Sequence, residues 1–171
     1  ADSSIDPDVS SPVPLAAGLG PYYALPSWDR KMGVVNRFVV LTDSNSDAVL
    51  DKETGLVWEQ RPDPTNPFYF WDQARAACMD RTTGNHRGWR LPSIHELASL
   101  IDPAHTGTGP FLPTGHPFDI TGQIVNNPGY WSATTNAVDT TQGWYVNFRT
   151  GAVGDDGPKA GGQGNAWCVR G

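Results

Sequence analysis

The sequence predicts an α+β fold in which two short helices pack on small antiparallel sheets and long loops join these elements. Strand-like segments precede and follow a pair of helix-like segments, an order typical of α+β proteins. Glycine and proline supply 19 and 15 of the 171 residues. Average usage would put the two together near ~12%, so the excess excludes a helical bundle, a coiled coil or a repeat solenoid. Seven tryptophans offset a shortage of aliphatic residues, because each large ring buries roughly 150–250 Å².

Charge and hydropathy narrow the classes of partner. The chain carries 12 basic and 18 acidic residues, which gives a net charge of −6 at pH 7. This balance argues against a broad basic surface for nucleic acid or anionic lipid. The longest apolar stretch, residues 38–41, is far shorter than the ~20 residues that span a bilayer. We therefore expect no nucleic-acid partner and no insertion into a membrane.

The two cysteines and the first residue indicate a compartment. Cys78 and Cys168 lie 90 positions apart and lack the close spacing of zinc and redox motifs. We interpret them as one disulfide of an exported protein, with two reduced buried thiols as the alternative. The chain begins at Ala1 without a charged and apolar leader. This predicts an extracellular or cell-surface protein whose signal peptide has been removed.

Residues 1–32 are predicted to form a Pro-rich extended arm that precedes a domain of residues 33–171. Prolines recur throughout residues 1–26, and no helical or alternating period is present. Such a segment needs a surface on which to become ordered, either its own domain or a neighbouring subunit. Its available apolar anchors are Val13, Leu15, Leu19, Tyr22, Tyr23, Leu25 and Trp28.

The first part of the domain has the pattern of strands. Residues 34–42 predict one strand, and residues 48–50 and 56–59 predict a hairpin. The hairpin loop ends in Gly55, which suits the left-handed position before a bulge.

Two helices follow. Residues 72–81 predict the first, with Asp72 as its N-cap. Ser93 and Glu96 match a capping box at the start of the second, whose apolar face continues to Ile101. This second helix is predicted to end near Asp102.

A long segment without periodicity, residues 103–129, separates the helices from the last strands. Loops of this length in compact domains are usually functional or fixed by a partner. Residues 130–134, 144–149 and 166–170 then read as strands. In the middle strand Trp144, Val146 and Phe148 share one face, which is the pattern of a half-buried antiparallel strand.

Six segments, in their order along the chain, resemble a family of bacterial secreted domains. They are TGLVWE at 54–59, WDQARAAC at 71–78, GWRLPSIHELASLID at 88–102, YWSAT at 130–134, WYVNF at 144–148 and CVR at 168–170. The family is typified by the C-terminal domain of the collagen-like adhesin Lcl. The resemblance covers roughly residues 42–171, and Gly-Trp-Arg-Leu-Pro is its most specific part.

The resemblance implies a C-type-lectin-like fold in an exported, mostly non-catalytic module for surface adhesion or glycan binding, distantly related in fold to formylglycine-generating enzymes. The chain departs from the family's relatives in two ways. The tripeptides with which calcium-dependent lectins bind their ion are absent. The Lcl domain binds sulfated polysaccharide through basic residues, and the acidic balance here argues against that ligand.

Three loops are the candidate binding surfaces, at residues 103–129, 135–142 and 152–165. Their polar side chains are the candidate ligand-binding residues, namely His105, His116, Asp119, Asn126, Asn127, Asp155 and Asp156. Calcium remains open because several carboxylates lie in loops, but no calcium motif collects them, which favours solvated side chains. The four histidines lack the spacing of a zinc site. No other cofactor is expected.

The remaining conspicuous residues have structural interpretations. The tryptophans at 58, 71, 89, 131, 144 and 167 are predicted to pack in the core, with sugar stacking as the alternative. Arg90 is predicted to form an ion pair beside the second helix. Neither a Gly-x-Ser-x-Gly motif nor a P-loop is present. The formylglycine-generating relatives use a reactive cysteine pair, whereas both cysteines here are assigned to a disulfide.

We therefore expect a non-enzymatic extracellular protein, in one of two versions. In the first, the arm binds a neighbouring copy and builds an oligomer or filament, with or without a role in adhesion. In the second, a monomer binds a glycan or protein through the three loops. An enzyme related to the formylglycine-generating enzymes is a third interpretation, for which the sequence offers no motif.

Overall fold

The computed structural model describes residues 33–45, 47–62, 68–107, 109–120 and 129–171. The predicted arm, with its seven apolar anchors, lies outside these residues, as do Asn126 and Asn127. The described helices are α1 (Val34–Arg37), α2 (Trp71–Met79) and α3 (Ile94–Ala98). The strands are β1 (Phe38–Leu41), β2 (Ala48–Asp51), β3 (Val57–Glu59), β4 (Gly129–Thr135), β5 (Gln142–Asn147), β6 (Ala152–Pro158) and β7 (Val169–Arg170). They form two antiparallel sheets, β1-β2-β3-β7 and β4-β5-β6, which confirms the α+β class.

The four-stranded sheet contains the predicted hairpin and one correction. Gly55 has a φ of 76°, as its place at the end of the β2–β3 loop predicted. The strand predicted over residues 34–42 is wrong in its first half, which is the helical turn α1. Phe38 pairs with Asp51, the last residue of β2, so earlier residues have no strand beside them. The helical turn instead lets the Arg37 guanidinium donate to both oxygens of the buried Asp51 carboxylate, from Nε to Oδ1 at 3.0 Å and from Nη2 to Oδ2 at 2.8 Å.

The helices confirm the second predicted cap and correct the first. α2 begins at Trp71, and the N–H of Phe70 donates to Oε1 of Gln73, so Asp72 is not the N-cap. In α3 the Ser93 hydroxyl accepts from the Glu96 N–H at 3.3 Å, and the Glu96 carboxylate accepts from the Ser93 N–H at 2.8 Å. α3 ends at Ala98 rather than near Asp102. Its last turn is closed by the Ser99 hydroxyl, which donates to the Glu96 carbonyl.

The three-stranded sheet holds a strand that the sequence pattern concealed. Residues 152–165 were expected to be a loop, but residues 152–158 form β6 beside β5. Two glycines in this strand weaken its sequence pattern, and each is required by a ring from another strand of the same sheet, β5 for Gly154 and β4 for Gly157. A Cβ on Gly154 would lie 2.5 Å from Cζ of Tyr145, and one on Gly157 would lie 2.5 Å from Cζ3 of Trp131. Of the strand predicted over residues 166–170, Val169–Arg170 form β7.

Aromatic side chains build the core as the composition predicted. Trp167 is fully buried, and its indole meets four other rings at centroid distances of 5.0–5.7 Å, those of Trp58, Phe118, Tyr130 and Phe148. A second cluster gathers Trp71, Trp89 and Trp131 around the disulfide. Cys78 and Cys168 are joined at an S–S distance of 2.07 Å, and both are fully buried. No helix in the described part has the length and apolarity of a membrane span.

Candidate functional site

A groove of about 480 Å³ lies between α3 and the three-stranded sheet. α3 packs on β4 and β5 and leaves the β6 side of the same sheet face open. His95 and Ala98 of α3 form one wall, and Thr134 of β4 lies beside them. The volume falls within the range of ~300–1,000 Å³ that small-ligand sites occupy. This groove is therefore the candidate functional site.

The floor of the groove is the uncovered continuation of the core. Trp144 lies on the same face of β5 as the buried Val146. It packs against the cluster that holds Val146 and Phe148, the residue just after the strand, while staying partly exposed. Val153 of β6 is paired with Val146, and 43% of its surface is exposed. Side-chain alternation in strands puts these apolar groups on one face. A ligand over this floor would meet an indole and a valine.

The loop that joins β4 to β5, residues 136–141, forms the rim of the groove and is called the rim loop below. The Asn136 side-chain amide donates to the backbone carbonyl and to the carboxylate of Asp155, both at 3.2 Å. Its oxygen accepts from the Val138 N–H at 2.8 Å. These bonds tie the rim loop to β6 and leave the Val138 side chain 97% exposed. The groove therefore ends in an apolar side chain that nothing in the described chain covers.

A lysine holds the rim loop from its other end. The Lys159 ammonium donates to the Thr135 hydroxyl at 2.8 Å and to the Thr140 carbonyl at 2.9 Å. The same ammonium lies 4.2 Å from the centroid of the Trp71 ring, within the reach of a cation–π interaction. Within the loop, hydrogen bonds from the Thr141 side chain and backbone lower the pKa of Asp139. Contacts within the chain therefore fix the conformation of the rim loop without a ligand.

Of the described candidate residues, only Asp155 lines the groove. Asp156 instead accepts from the Tyr145 hydroxyl at 3.1 Å. Burial, followed by this carboxylate, raises the pKa of Tyr145. Asp119 forms an exposed ion pair with Arg61. The sequence-based candidates are therefore distributed over the surface and do not form one site.

The two candidate histidines have packing roles. The His105 ring lies against Phe111, with 4.8 Å between their centroids. His116 stacks on Phe118 and its Nδ1 accepts from the Phe118 N–H at 3.2 Å. Burial lowers the pKa of His116. Both side chains hold the long loop after α3 in place.

Arg90 has the structural role that the sequence predicted. Its guanidinium binds both oxygens of Glu96 at 2.7 Å. This hydrogen-bonded pair raises the pKa of Arg90 and lowers that of Glu96. Glu96 also caps α3, so Arg90 stabilises the helix that forms one wall of the groove.

Sequence reasoning missed most of the groove. Val153 joins His95, Trp144 and Val138 around the groove only because β6 pairs with β5. Trp144 was assigned to the core and β6 to a loop, so their common face could not be foreseen. The rim residue Asn136 had a usable signal, since a side chain that accepts from the N–H two residues on often organises a turn.

The described residues contain no cluster of the side chains that usually bind a metal ion. Within these ranges no three His, Cys, Asp or Glu side chains gather closely enough to hold one. A second depression, of about 350 Å³, is lined by polar residues that include Asn45, Asp47 and Asp80. It lies beside the buried Glu59, which accepts from the Thr83 hydroxyl and from the Cys168 N–H.

Fold and site define a small, disulfide-linked α+β domain with an open groove at the edge of its second sheet. The chain belongs to the Lcl C-terminal domain family, whose sequence model matches residues 47–170. This confirms the resemblance that the six segments carried. A comparison with curated proteins found no match.

Proposed function

We propose that this chain is a non-enzymatic extracellular surface protein that works by binding in the groove, in assembly with copies of itself, in adhesion, or in both. The observation that carries the proposal is the groove itself, a preformed apolar floor with a hydrogen-bonding rim. Membership in a family named after the C-terminal domain of Lcl supports a surface role. We further propose that the two sheets, the two longer helices and the disulfide form a C-type-lectin-like fold.

The absence of catalysis is part of the proposal. Both cysteines are buried in the disulfide, so neither is a free thiol of the kind that formylglycine-generating relatives use. Tyr130, whose pKa burial raises far above its usual value, lies in the core and lines neither of the two described depressions. The described groove holds His95 and Asp155 as its titratable side chains. The Asp155 carboxylate accepts from the Asn136 side-chain amide at 3.2 Å, a contact that anchors the rim loop.

The chemistry of the groove favours an uncharged ligand. Among its described lining residues none is Lys or Arg, and Asp155 places a carboxylate on the rim. A sulfated polysaccharide would meet this carboxylate without a compensating cation. A neutral glycan or an uncharged peptide can use the apolar floor and the threonine, asparagine and histidine groups around it.

Sedimentation velocity on the full chain across a wide range of concentration tests self-assembly. We expect species larger than the monomer that grow with concentration. A chain that stays monomeric at every concentration would refute this version. Electron micrographs of the same samples would then separate closed particles from open filaments.

The exposed part of Trp144 favours a second version, in which a monomer binds a glycan. Sugar rings stack on aromatic faces, and Asp155 and Asn136 lie beside this indole as hydrogen-bonding partners. A glycan array with the full chain, in calcium and in chelator, tests it. Asp155→Asn should weaken binding, whereas the control Asp156→Asn, next in sequence but outside the groove, should not. Equal binding by the two variants contradicts a glycan site in this groove.

A further inference from the structure

We propose that the occupant of the groove is an uncharged stretch of a second copy of this chain, residues 9–28. The inference rests on the proposed function, because it names the partner for self-assembly through the same groove. It joins two observations, one from the sequence before Gly33 and one from the described domain. The apolar segment before Gly33 needs a surface to bind, and the groove has exposed apolar side chains that an apolar segment can cover.

The proposed occupant, residues 9–28, is called the donor stretch below. It is uncharged and contains several large apolar residues. Residues 9–28 hold no Asp, Glu, Lys, Arg or His, whereas Asp2, Asp6 and Asp8 precede them and residues 29–31 are all charged. Its prolines restrict the backbone to extended conformations, which reduces the entropy lost on binding. Peptides of this kind bind grooves lined by aromatic residues. The acidic residues at 2–8 would be repelled by Asp155, so the uncharged part is the better fit.

The acceptor is the groove together with the free edge of β6. In the described chain β6 is paired with β5 on one side, and it forms an edge of its sheet. Backbone donors and acceptors on the outer side of an edge strand can bind another extended chain. The apolar side chains next to this edge are Val138 and Val153, exposed by 97% and 43%. Both hydrogen-bonding and apolar surface are thus available together.

Sequence spacing selects the stretch that would lie along β6. Proline lacks an N–H, so the pairing stretch must fall between prolines. Residues 15–20, Leu-Ala-Ala-Gly-Leu-Gly, lie between Pro14 and Pro21, and these six residues are one fewer than the seven of β6. In an extended chain Leu15, Ala17 and Leu19 fall on one face and smaller residues on the other. The two leucines would then lie over Trp144 and Val153.

The proposed self-assembly makes a second copy the partner, and the length of chain before the domain allows such a contact. The chain leaves the donor stretch through residues 21–32 and enters the domain at α1, which leads into β1, an edge of the four-stranded sheet. The groove lies at β6, an edge of the other sheet. Twelve extended residues reach about 40 Å, enough to cross to a neighbour. A donor on one edge and an acceptor on another make a head-to-tail contact, which produces rings or filaments.

The test uses the full chain with a charge placed in the groove. Val138→Asp should weaken association at least tenfold in sedimentation velocity, because a carboxylate would replace an apolar contact beside Asp155. Val35→Asp is the matched control, since Val35 is 92% exposed but lies on α1. If Val138→Asp associates as strongly as the control, the groove is not the acceptor, although self-assembly itself would stand. If the unmodified chain is monomeric, the proposed assembly fails as well.

A photo-crosslinking amino acid at position 138 identifies the occupant directly. Mixed nitrogen-15-labelled and unlabelled chains are irradiated, and the crosslinked peptides are read by mass spectrometry. We expect crosslinks between position 138 and peptides from residues 9–28, including pairs in which one peptide is labelled and the other is unlabelled. Crosslinks confined to peptides of a single isotope would show that each chain fills its own groove. Crosslinks to any other segment would also overturn the proposal.

Discussion

Glycines at the second sheet show how single residues shape the site. Gly157 lies under the Trp131 ring, and a Cβ there would come within 2.5 Å of Cζ3 and 2.7 Å of Cη2. Trp131 cannot retreat, because its indole N–H donates to the Tyr69 carbonyl at 2.9 Å in a buried setting. We therefore expect Gly157→Ala to lower the free energy of unfolding by about 1–3 kcal/mol, the usual result of overpacking. Urea denaturation measures this change.

Gly161→Ala is the control for this substitution. Nothing lies within 4 Å of a Cβ placed on Gly161, and its backbone is outside the left-handed region. Its stability should therefore equal or slightly exceed that of the parent chain. Equal stabilities for the two alanine variants would contradict the tight packing of β6 on Trp131.

His116 makes stability depend on pH. Burial lowers its pKa below the ordinary value of 6.5, and its Nδ1 accepts a hydrogen bond, which requires the neutral ring. Around pH 6 the unfolded chain therefore binds more protons than the folded chain. The free energy of unfolding then falls as the pH drops below the pKa that His116 has in the unfolded chain. His116→Asn should reduce this slope between pH 7 and pH 5, as measured by denaturation at each pH.

An NMR titration of the His116 ring gives an independent readout. A midpoint at or above 6.5 would show that burial does not control this ring.

At the scale of elements, the cap of α3 determines one wall of the groove. Ser93 accepts from the Glu96 N–H, which would otherwise lack a partner at the helix start. Ser93→Ala should lower the free energy of unfolding by about 0.5–2 kcal/mol, the range for lost N-caps. Thr82→Ala is a suitable control, because Thr82 precedes a short 3₁₀ turn without capping it through its side chain. A loss of similar size in both variants would argue against a specific role of the cap.

Elements with local signals were predictable from the sequence, and those that depend on distant partners were not. The α3 cap and the Gly55 turn depend on neighbours within a few residues, so their patterns were sufficient. The residues of α1 looked like a strand because Val34 and Val35 favour one, but β2 ends before it could pair with them. β6 looked like a loop because its glycines leave room for the rings of Trp131 on β4 and Tyr145 on β5. Tertiary context overrode local propensity in both cases.

The site was less predictable than the fold for the same reason. Its floor exists because α3 covers β4 and β5 but not β6, which is a property of how elements pack. Polar loop residues such as Asp119 and His116 attracted notice in the sequence, yet they bind their neighbours. Val138 and Val153 lie in two of the loops that the sequence named as binding surfaces, but neither was among the candidate ligand-binding side chains. Their exposure became informative only in three dimensions.

For the whole molecule, the disulfide is a covalent link between α2 and the segment that leads into β7. Cys78 lies in α2, and Cys168 lies between the buried Trp167 and β7. The bond therefore connects α2, which packs on β4, to the four-stranded sheet, and it lies within the second aromatic cluster. Through Trp71, α2 also contacts Lys159, the residue that holds the rim loop. The shape of the groove thus depends on a scaffold that the disulfide keeps together.

Reduction should therefore destabilise the domain strongly. The disulfide closes a loop with a sequence separation of 90 residues, and the chain-entropy model assigns about 4.5 kcal/mol to a loop of that length. We expect Cys78→Ala/Cys168→Ala to lose free energy of unfolding of this order, measured by urea denaturation. Reductant should affect the parent chain similarly while leaving the double variant unchanged, and intact mass should rise by two hydrogens on reduction. A double variant as stable as the parent would show that the aromatic clusters alone hold the two sheets together.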